Sequence, residues 1–348
     1  MDTISRTLSP SEQGLPRSSD GEAITVCCVI PAYRAAASIK NVVQTALTYA
    51  QAVVVVDDAC PQGSGAIITS AYRNDPRVIV IAHSANGGVG AAMKTGIAAA
   101  LECHAEIIVK IDADGQMDPS FIPAIQDAFD RDPVLAYVKG NRFFDASVVR
   151  LMPKVRLWGN AVLSLMTKAA SGYWNLLDPT NGYVAFRSDA LRMLDWRSFA
   201  DSYFFEISIL CEFGLKRFPI LELEMPTIYN LAPSSLSVRR VIFEFPQRLA
   251  KLTLKRFFVQ YLIFDVNIGT LYFVMGLSLT LFGFVFGLVQ WINGFITHLP
   301  KPIGTVMLAV LPFMMGFQLL LSSLMYDVQI SPKTRHELLM VRHNRKAK

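Results

Sequence analysis

Ile107-Ile108-Val109-Lys110-Ile111 runs directly into Asp112-Ala113-Asp114-Gly115-Gln116. The first five residues read as a buried strand, short and almost wholly apolar. The next five place a D-x-D at its carboxyl end, with one small residue between two acids on extended backbone. That spacing lets a hard divalent cation, Mg2+ or Mn2+, be held together with the ribose-diphosphate of a nucleotide. A cation there would neutralise charge developing on a leaving diphosphate. An isolated D-x-D is commonly a helix cap or a turn; what sets this one apart is its place after a strand, with Asp57 and Asp58 ending another apolar run.

The pattern repeats outward from that point. Apolar runs at residues 24–30, 53–56, 78–81, 107–111 and 135–138 read as strands, and segments such as Ile39, Val42, Val43, Ala46 and Leu47 carry helical spacing between them. Such alternation predicts an α/β fold with a mostly parallel sheet and helices on both faces. Ligands of open sheets of this kind bind outside the carboxyl ends of the strands. Those ends read Pro31-Ala32-Tyr33-Arg34, Asp57-Asp58-Ala59-Cys60-Pro61, Asn86-Gly87-Gly88-Val89-Gly90 and the D-x-D itself, so acids and glycines gather where a ligand should sit. The glycine loop is not a dinucleotide fingerprint, because Met93 stands where the third glycine of G-x-G-x-x-G belongs, and its spacing to Lys94 is wrong for a P-loop.

Composition divides the 348 residues in two. Hydrophobic residues make up 52% and the mean hydropathy is +0.35, more than a soluble domain needs. Charges recur up to Asp265, then disappear, apart from Lys301, until Asp327. Residues 268–289 and 303–325 are uncharged runs long enough, at 1.5 Å per residue, to cross a hydrocarbon core of roughly 30 Å. Between them, Trp291, Pro300 and Pro302 suit an interfacial turn over 290–302. Arg239, Arg240, Arg248, Lys251, Lys255 and Arg256 precede the first span, and Lys333, Arg335, Arg342, Arg345, Lys346 and Lys348 follow the second, against Lys301 alone in the loop. This bias predicts a two-span membrane protein with its catalytic domain and both termini in the cytoplasm. The net charge of +5 concentrates in these flanks, which favours anionic lipid headgroups over nucleic acid as a partner.

Over 240–255, Arg240, Glu244, Gln247, Arg248, Lys251 and Lys255 recur at helical spacing opposite Val241, Phe245, Leu249 and Leu252, the pattern of an amphipathic helix lying on a membrane or packed on the domain. The expected order is a disordered tail at 1–22 with no signal-peptide core, a catalytic domain at 23–237, an amphipathic juxtamembrane region at 238–265, a transmembrane hairpin at 266–326 and a basic tail at 327–348. Five cysteines without a C-x-x-C pair fit thiols acting as small core residues in a reducing compartment. A hairpin of two spans leaves homo-oligomerisation open.

These residues, in this order, resemble family 2 glycosyltransferases with a GT-A fold, and within the family the branch that includes dolichyl-phosphate mannose synthases and bacterial polyprenyl-phosphate glycosyltransferases. The resemblance implies a nucleotide diphosphate sugar as donor, held by Pro31, Tyr33, Asp57, Asp58, Asn86, Gly90, Lys94, Asp112 and Gln116. It puts Asp57 and Asp58 at the base and ribose, and Asp112 and Asp114 at the diphosphate and metal. Gly140-Asn141-Arg142 and Asp178-Pro179-Thr180-Asn181-Gly182-Tyr183 followed by Arg187 look like the acceptor side, so Arg142, Asp178, Asn181 and Arg187 would receive a lipid phosphate, with the guanidinium groups clamping it. The chain departs from the family pattern at Arg34-Ala35 and Gln62, which leaves UDP and GDP both open.

The implied reaction is a single displacement that inverts the anomeric centre. A polyprenyl phosphate is already ionised and needs no base, whereas a hydroxyl acceptor, the alternative reading, needs a carboxylate within reach, and Glu206 stands where such a base would sit. A nucleotidyltransferase would want a glycine-rich, basic signature after the first strand, and 31–39 carries a single Arg and no Gly. A non-catalytic membrane scaffold would have no use for intact Asp112 and Asp114.

Overall fold

Strands β1 (Val26–Ala32), β2 (Ala52–Asp57), β3 (Val78–Ala82) and β4 (Ile107–Lys110) form where the apolar runs predict them, while β5 (Tyr137–Asn141) begins inside the run expected at 135–138 and continues past it. The computed structural model describes residues 24–142, 154–196, 199–225, 238–332 and 334–337. The expected tail at 1–22, Lys333 and the basic residues beyond 337 lie outside the described residues. Three further strands, β6 (Val184–Arg187), β7 (Ile220–Glu224) and β8 (Thr334–Glu337), complete an eight-stranded sheet of order β3-β2-β1-β4-β6-β5-β7-β8. Every pairing is parallel except those of β6, which runs antiparallel to β4 and β5.

Helices cover both faces, which is why β2 is buried along its whole length. On one face α1 (Ile39–Tyr49), α2 (Ser64–Ala71) and α4 (Ile122–Arg131) pack Val42, Ile68 and Phe129 against Val26, Val53 and Val109. On the other, α3 (Val89–Glu102) and α7 (Phe205–Leu215) pack Met93, Ile97, Ile209 and Phe213 against Val29, Val54, Tyr137 and Phe186. Each such side chain contributes roughly 1.5–3 kcal/mol on burial. Two more helices in this part are α5 (Lys154–Ser171) and the short α6 (Ser188–Arg192).

The chain divides into two compact units, Met1–Ala250 with Pro332–Lys348, and Lys251–Ser331. The boundary falls inside α8 (Val238–Phe258) rather than before it, and the segment expected as a basic tail returns to the first unit as β8. In the apolar stripe of α8, expected to lie on a membrane or pack on the domain, Phe245 and Leu249 are buried, and the Phe245 ring meets Phe204 edge-on at 5.1 Å.

In the second unit, α9 (Ile268–Thr297) and α10 (Ile303–Gln329) are 30 and 27 residues long and contain 18-residue stretches of mean hydropathy 2.0 and 1.9, long and apolar enough to cross a membrane. A capping box on Asn267 and Thr270 starts α9. The helix runs through the expected interfacial turn and stops only at His298, in the left-handed region at φ 55°, because nothing before Pro300 breaks it. Close packing comes from small residues: a Cβ on Gly283 would lie 2.6 Å from the Ala309 carbonyl oxygen. Arg256 forks onto Asp327 through Nη1 and Nη2 at 2.8 and 2.7 Å, and Tyr261 donates to the same carboxylate at 2.7 Å, so this unit's buried charges are paired.

Candidate active site

The parallel strands bring the ends of β1, β2, β4, β5 and β7 to one edge, and antiparallel β6 delivers the turn that precedes it, 178–183, to that edge too. On the β1–β2 side the acids are held by backbone N–H groups. Asp57 accepts from Cys60 N through Oδ1 and from Gly65 N through Oδ2, both at 2.7 Å, anchoring the start of α2. Asp58 accepts from Gly87 N and Gly88 N at 2.8 Å, and its Oδ1 lies 2.8 Å from His83 Nδ1. Asn86 donates to the Asp58 carbonyl at 3.3 Å. These contacts shape the loops around the site. Tyr33 stands exposed at the rim with the Arg34 guanidinium 5.3 Å from its ring centre, and Pro31 pairs with Val56 inside the sheet.

Cys60, in the same loop, departs from the other thiols. The remaining four are buried, whereas its Sγ accepts from Arg34 N and lies 3.1 Å from Ser64 Oγ. Burial pushes this thiol up, but hydrogen bonds from Ser64 and from the Arg34 and Gln62 backbone outweigh it and bring the pKa down to about 7.

Gly90 and Lys94, expected at the nucleotide sugar, both meet Asp201. Gly90 N and Ala91 N donate to the Asp201 carbonyl at 2.8 and 3.1 Å, so the first donors of α3 are satisfied by protein. A Cβ on Gly90 would fall 2.0 Å from the Ala200 oxygen, which is why glycine is required there. Lys94 pairs with Asp201 at 2.8 Å.

The D-x-D loop sits between these halves and is tied down on every side. Ser38 donates to Ala113 O at 2.6 Å, Tyr183 to Asp118 O at 2.8 Å, and Asp112 N donates to Met117 Sδ at 3.3 Å. Asp112 itself is held by Lys110, whose Nζ lies 2.5 Å from Asp112 Oδ1, 3.2 Å from Glu206 Oε1 and 3.2 Å from Gly182 O. Lys110 is buried in β4. Burial opposes its charge, yet Asp112 and Glu206 together raise its pKa above the ordinary lysine value. Asp114 reaches the rim and accepts from Gln116 N at 2.9 Å. Desolvation, and after it the Asp112 charge, raise its carboxyl above the usual range despite that hydrogen bond.

On the β5–β7 side Arg142 forks onto Asp178, Nε to Oδ2 at 2.8 Å and Nη2 to Oδ1 at 3.0 Å. Buried Glu222 of β7 accepts from Leu177 N and Asp178 N, both at 2.9 Å, fixing the turn that carries Asp178. Lys139 of β5 donates to the Asn181 carbonyl. Burial pulls Lys139 down to about 8, against the pull of Asp178, Glu206 and Glu222. Arg187 does not join this group. It pairs with Ile107 at the start of β4, the opposite edge of the sheet, where it donates to Leu135 O and Phe129 O at 3.1 and 2.7 Å. Because β6 runs antiparallel, its last residue lies farthest from the site that its preceding turn forms.

The sequence profile of glycosyl transferase family 2 matches residues 27–194. The chain is 31% identical over 188 residues to the UDP-N-acetylglucosamine–dolichyl-phosphate N-acetylglucosaminyltransferase of Methanococcus voltae, covering 50% of this chain and 74% of that one. It is 32% identical over 205 residues to the polyprenol monophosphomannose synthase of Mycolicibacterium smegmatis, covering 55% and 74%. The chain belongs to glycosyl transferase family 2. The fold of this glycosyltransferase is also that of glucosyl-3-phosphoglycerate synthase from Mycobacterium tuberculosis, solved in complex with UDP, at a TM-score of 0.50 and 18% identity over 73% of this chain and 86% of that one.

Sequence reasoning missed the charged layer of this family 2 glycosyltransferase. Lys110, Lys139 and Glu222 each interrupt an apolar strand two residues after a core side chain, namely Ile108, Tyr137 and Ile220. Since strand side chains alternate, all three point to the face covered by α3 and α7. A charged residue inside a strand buried on both faces is the signal that could have found them.

Proposed function

We propose that this glycosyltransferase moves a sugar from a nucleotide diphosphate sugar to a membrane polyprenyl phosphate, inverting the anomeric centre. The observation that carries the reading is the pairing of Glu206 with buried Lys110 at 3.2 Å. A carboxylate turned into the fold onto an ammonium is poorly placed to take a proton from a hydroxyl acceptor, and a phosphate acceptor needs no base. The polyprenyl-phosphate and dolichyl-phosphate substrates in the relatives' names and the two helices able to cross a membrane support it further.

The donor diphosphate would lie against Asp112 and Asp114. These residues fit a divalent cation: two carboxylates stand in one loop, and among the described residues no cluster of three acid, histidine or cysteine side chains makes an all-protein cage, the donor set of a cation that completes its shell with phosphate oxygens. When bound, Mg2+ or Mn2+ supplies charge stabilisation to the leaving diphosphate. Lys110 holds Asp112 through Oδ1. Arg142, oriented by Asp178, brings positive charge to the edge where an acceptor phosphate would approach. Both termini and the catalytic unit would face the cytoplasm, with Lys301 on the far side.

The test is a panel of UDP- and GDP-sugars offered to the purified protein in detergent, with undecaprenyl phosphate, dolichyl phosphate or hydroxyl acceptors and Mg2+ or Mn2+. Released nucleotide and lipid product are read together, and the product's anomeric configuration by NMR. Transfer to a polyprenyl phosphate with inversion is expected. Turnover with a hydroxyl acceptor and none with either lipid phosphate would overturn the assignment.

A further inference from the structure

Asp58 is held by a side chain as well as by its backbone caps. His83, the first residue after β3, extends the sheet ladder by donating its backbone N–H to the Asp57 carbonyl at 2.9 Å, which brings its imidazole beside Asp58. Nδ1 lies 2.8 Å from Asp58 Oδ1, and Nε2 lies 3.0 Å from Thr95 Oγ1 in α3. The carboxylate is buried and the imidazole mostly so. A carboxylate only accepts, so the imidazole presents a proton at Nδ1, and its Nε2 lone pair accepts from the Thr95 hydroxyl.

Thr95 gives up its ordinary partner to do this. A threonine inside a helix commonly returns its hydroxyl to the carbonyl four residues back, as Thr45 does to Asn41 in α1 and Thr69 to Gly65 in α2. Thr95 turns to His83 instead. The contacts close a circuit: α3 to His83, His83 to Asp58, and Asp58 back to Gly87 N and Gly88 N, which lead into α3. Gly88 enters the helix at φ 93°, a conformation open to glycine.

Aspartate, imidazole and hydroxyl in this order have the connectivity of a nucleophilic triad. Their surroundings exclude that use. The N–H groups at hand, those of Gly87, Gly88, Gly90 and Ala91, are spent on Asp58 and Asp201, leaving none of them for an oxyanion. What the circuit presents outward is the loop itself, since Asn86 and Gly87 are exposed and Asn86 is tied to the Asp58 carbonyl.

We propose that His83 is a positioning residue for the donor. By fixing Asp58 it sets the shape of the loop at 86–88 and with it how tightly the nucleotide binds, while the transfer itself rests on Asp112 and Asp114. The inference rests on the proposed nucleotide sugar donor, with its nucleotide on the β1–β2 side of the edge, and is independent of the acceptor.

The experiment measures binding of UDP and of GDP, each with Mn2+, to the full chain in detergent by calorimetry. The unfolding midpoint is read beside it, as are KM and kcat for the UDP- or GDP-sugar that turns over. His83→Leu should raise the nucleotide Kd about tenfold or more, the worth of a hydrogen bond to a charged group. KM should rise in step, with kcat within about threefold of the wild type. His83→Asn, whose Nδ2 stands in for Nδ1, should recover binding to within about threefold, and Thr95→Val should weaken it about threefold. Wild-type affinity in His83→Leu overturns the inference, whatever happens to its unfolding midpoint, and so does a loss confined to kcat. Equal weakening in His83→Leu and His83→Asn also overturns it, because the bond to Asp58 would not be the cause. Where His83→Leu does not fold, tenfold weakening in His83→Asn with none in Thr95→Val overturns it. A wild type that binds neither UDP nor GDP overturns the donor reading itself, which separates that failure from this one.

Discussion

The two halves of the ligand edge hold their acids by different means. Beside β1 and β2, Asp57 and Asp58 are satisfied mainly by N–H groups of their own and the next loop, Cys60, Gly65, Gly87 and Gly88. Beside β4, β5 and β7, Asp112, Glu206 and Asp178 are satisfied by cations on other elements, Lys110 and Arg142. Backbone donors fix an acid through local chain geometry and survive changes elsewhere. Ion pairs couple residues far apart in sequence, such as 110 with 206 and 142 with 178, and removing one member strands the others. The β1–β2 half is thus a set of independent caps, and the β4–β5–β7 half a coupled network.

The contrast breaks most visibly at Lys110. Lys110→Met leaves Asp112 and Glu206 without their cation and should cost about 3–5 kcal/mol of stability, read by denaturant unfolding in detergent. Sugar transfer should fall at least about a hundredfold. Adding Glu206→Gln should recover part of the stability and none of the activity; a loss under about 1 kcal/mol for the single variant would show that the network is not coupled.

Next in size is a titration. Lys139 has a folded pKa of about 8, below its unfolded value, so between the two the unfolded chain binds more protons and stability rises with pH. The rise begins near pH 8, continues toward 10, and amounts to at most about 3 kcal/mol. Lys110, whose pKa is raised, keeps its proton throughout that window and contributes no slope. Unfolding midpoints measured from pH 7 to 10 should therefore climb in the wild type relative to Lys139→Met, and identical slopes would refute the assignment.

Asp58→Ala orphans the Gly87 and Gly88 N–H groups and should cost about 2 kcal/mol. Asp58→Asn, which keeps one acceptor, should cost less than half of that. If the amide proves as damaging as alanine, the charge of Asp58 matters and the β1–β2 half is not merely capped. The smallest effect belongs to Gly182→Ala. Its Cβ would stand 3.1 Å from Lys110 Nζ and 3.3 Å from Met117 Cε, and because Lys110 is pinned, crowding should cost about 1 kcal/mol, visible as a lowered melting temperature with a reduced transfer rate.

Much of this molecule is written locally in its sequence. Runs of Val and Ile that bury both faces of a parallel sheet announced five of the eight strands among the described residues, and their polar ends announced that Asp57, Asp58, Asp112 and Asp114 stand at the carboxyl edge of that sheet. The apolar stretches of α9 and α10 were equally plain, since length and absence of charge suffice to recognise them. Tertiary structure alone decided the rest. The reversal of β6 carried Arg187 away from the site while leaving Asp178 and Asn181 in it. Partners distant in sequence decided that Glu206 faces Lys110, that Lys94 faces Asp201, and that Phe245 and Leu249 of α8 are buried. Periodicity shows that a face is apolar and spacing shows that a charge is available; which neighbour each one meets depends on how separate segments pack, and no single segment contains that information.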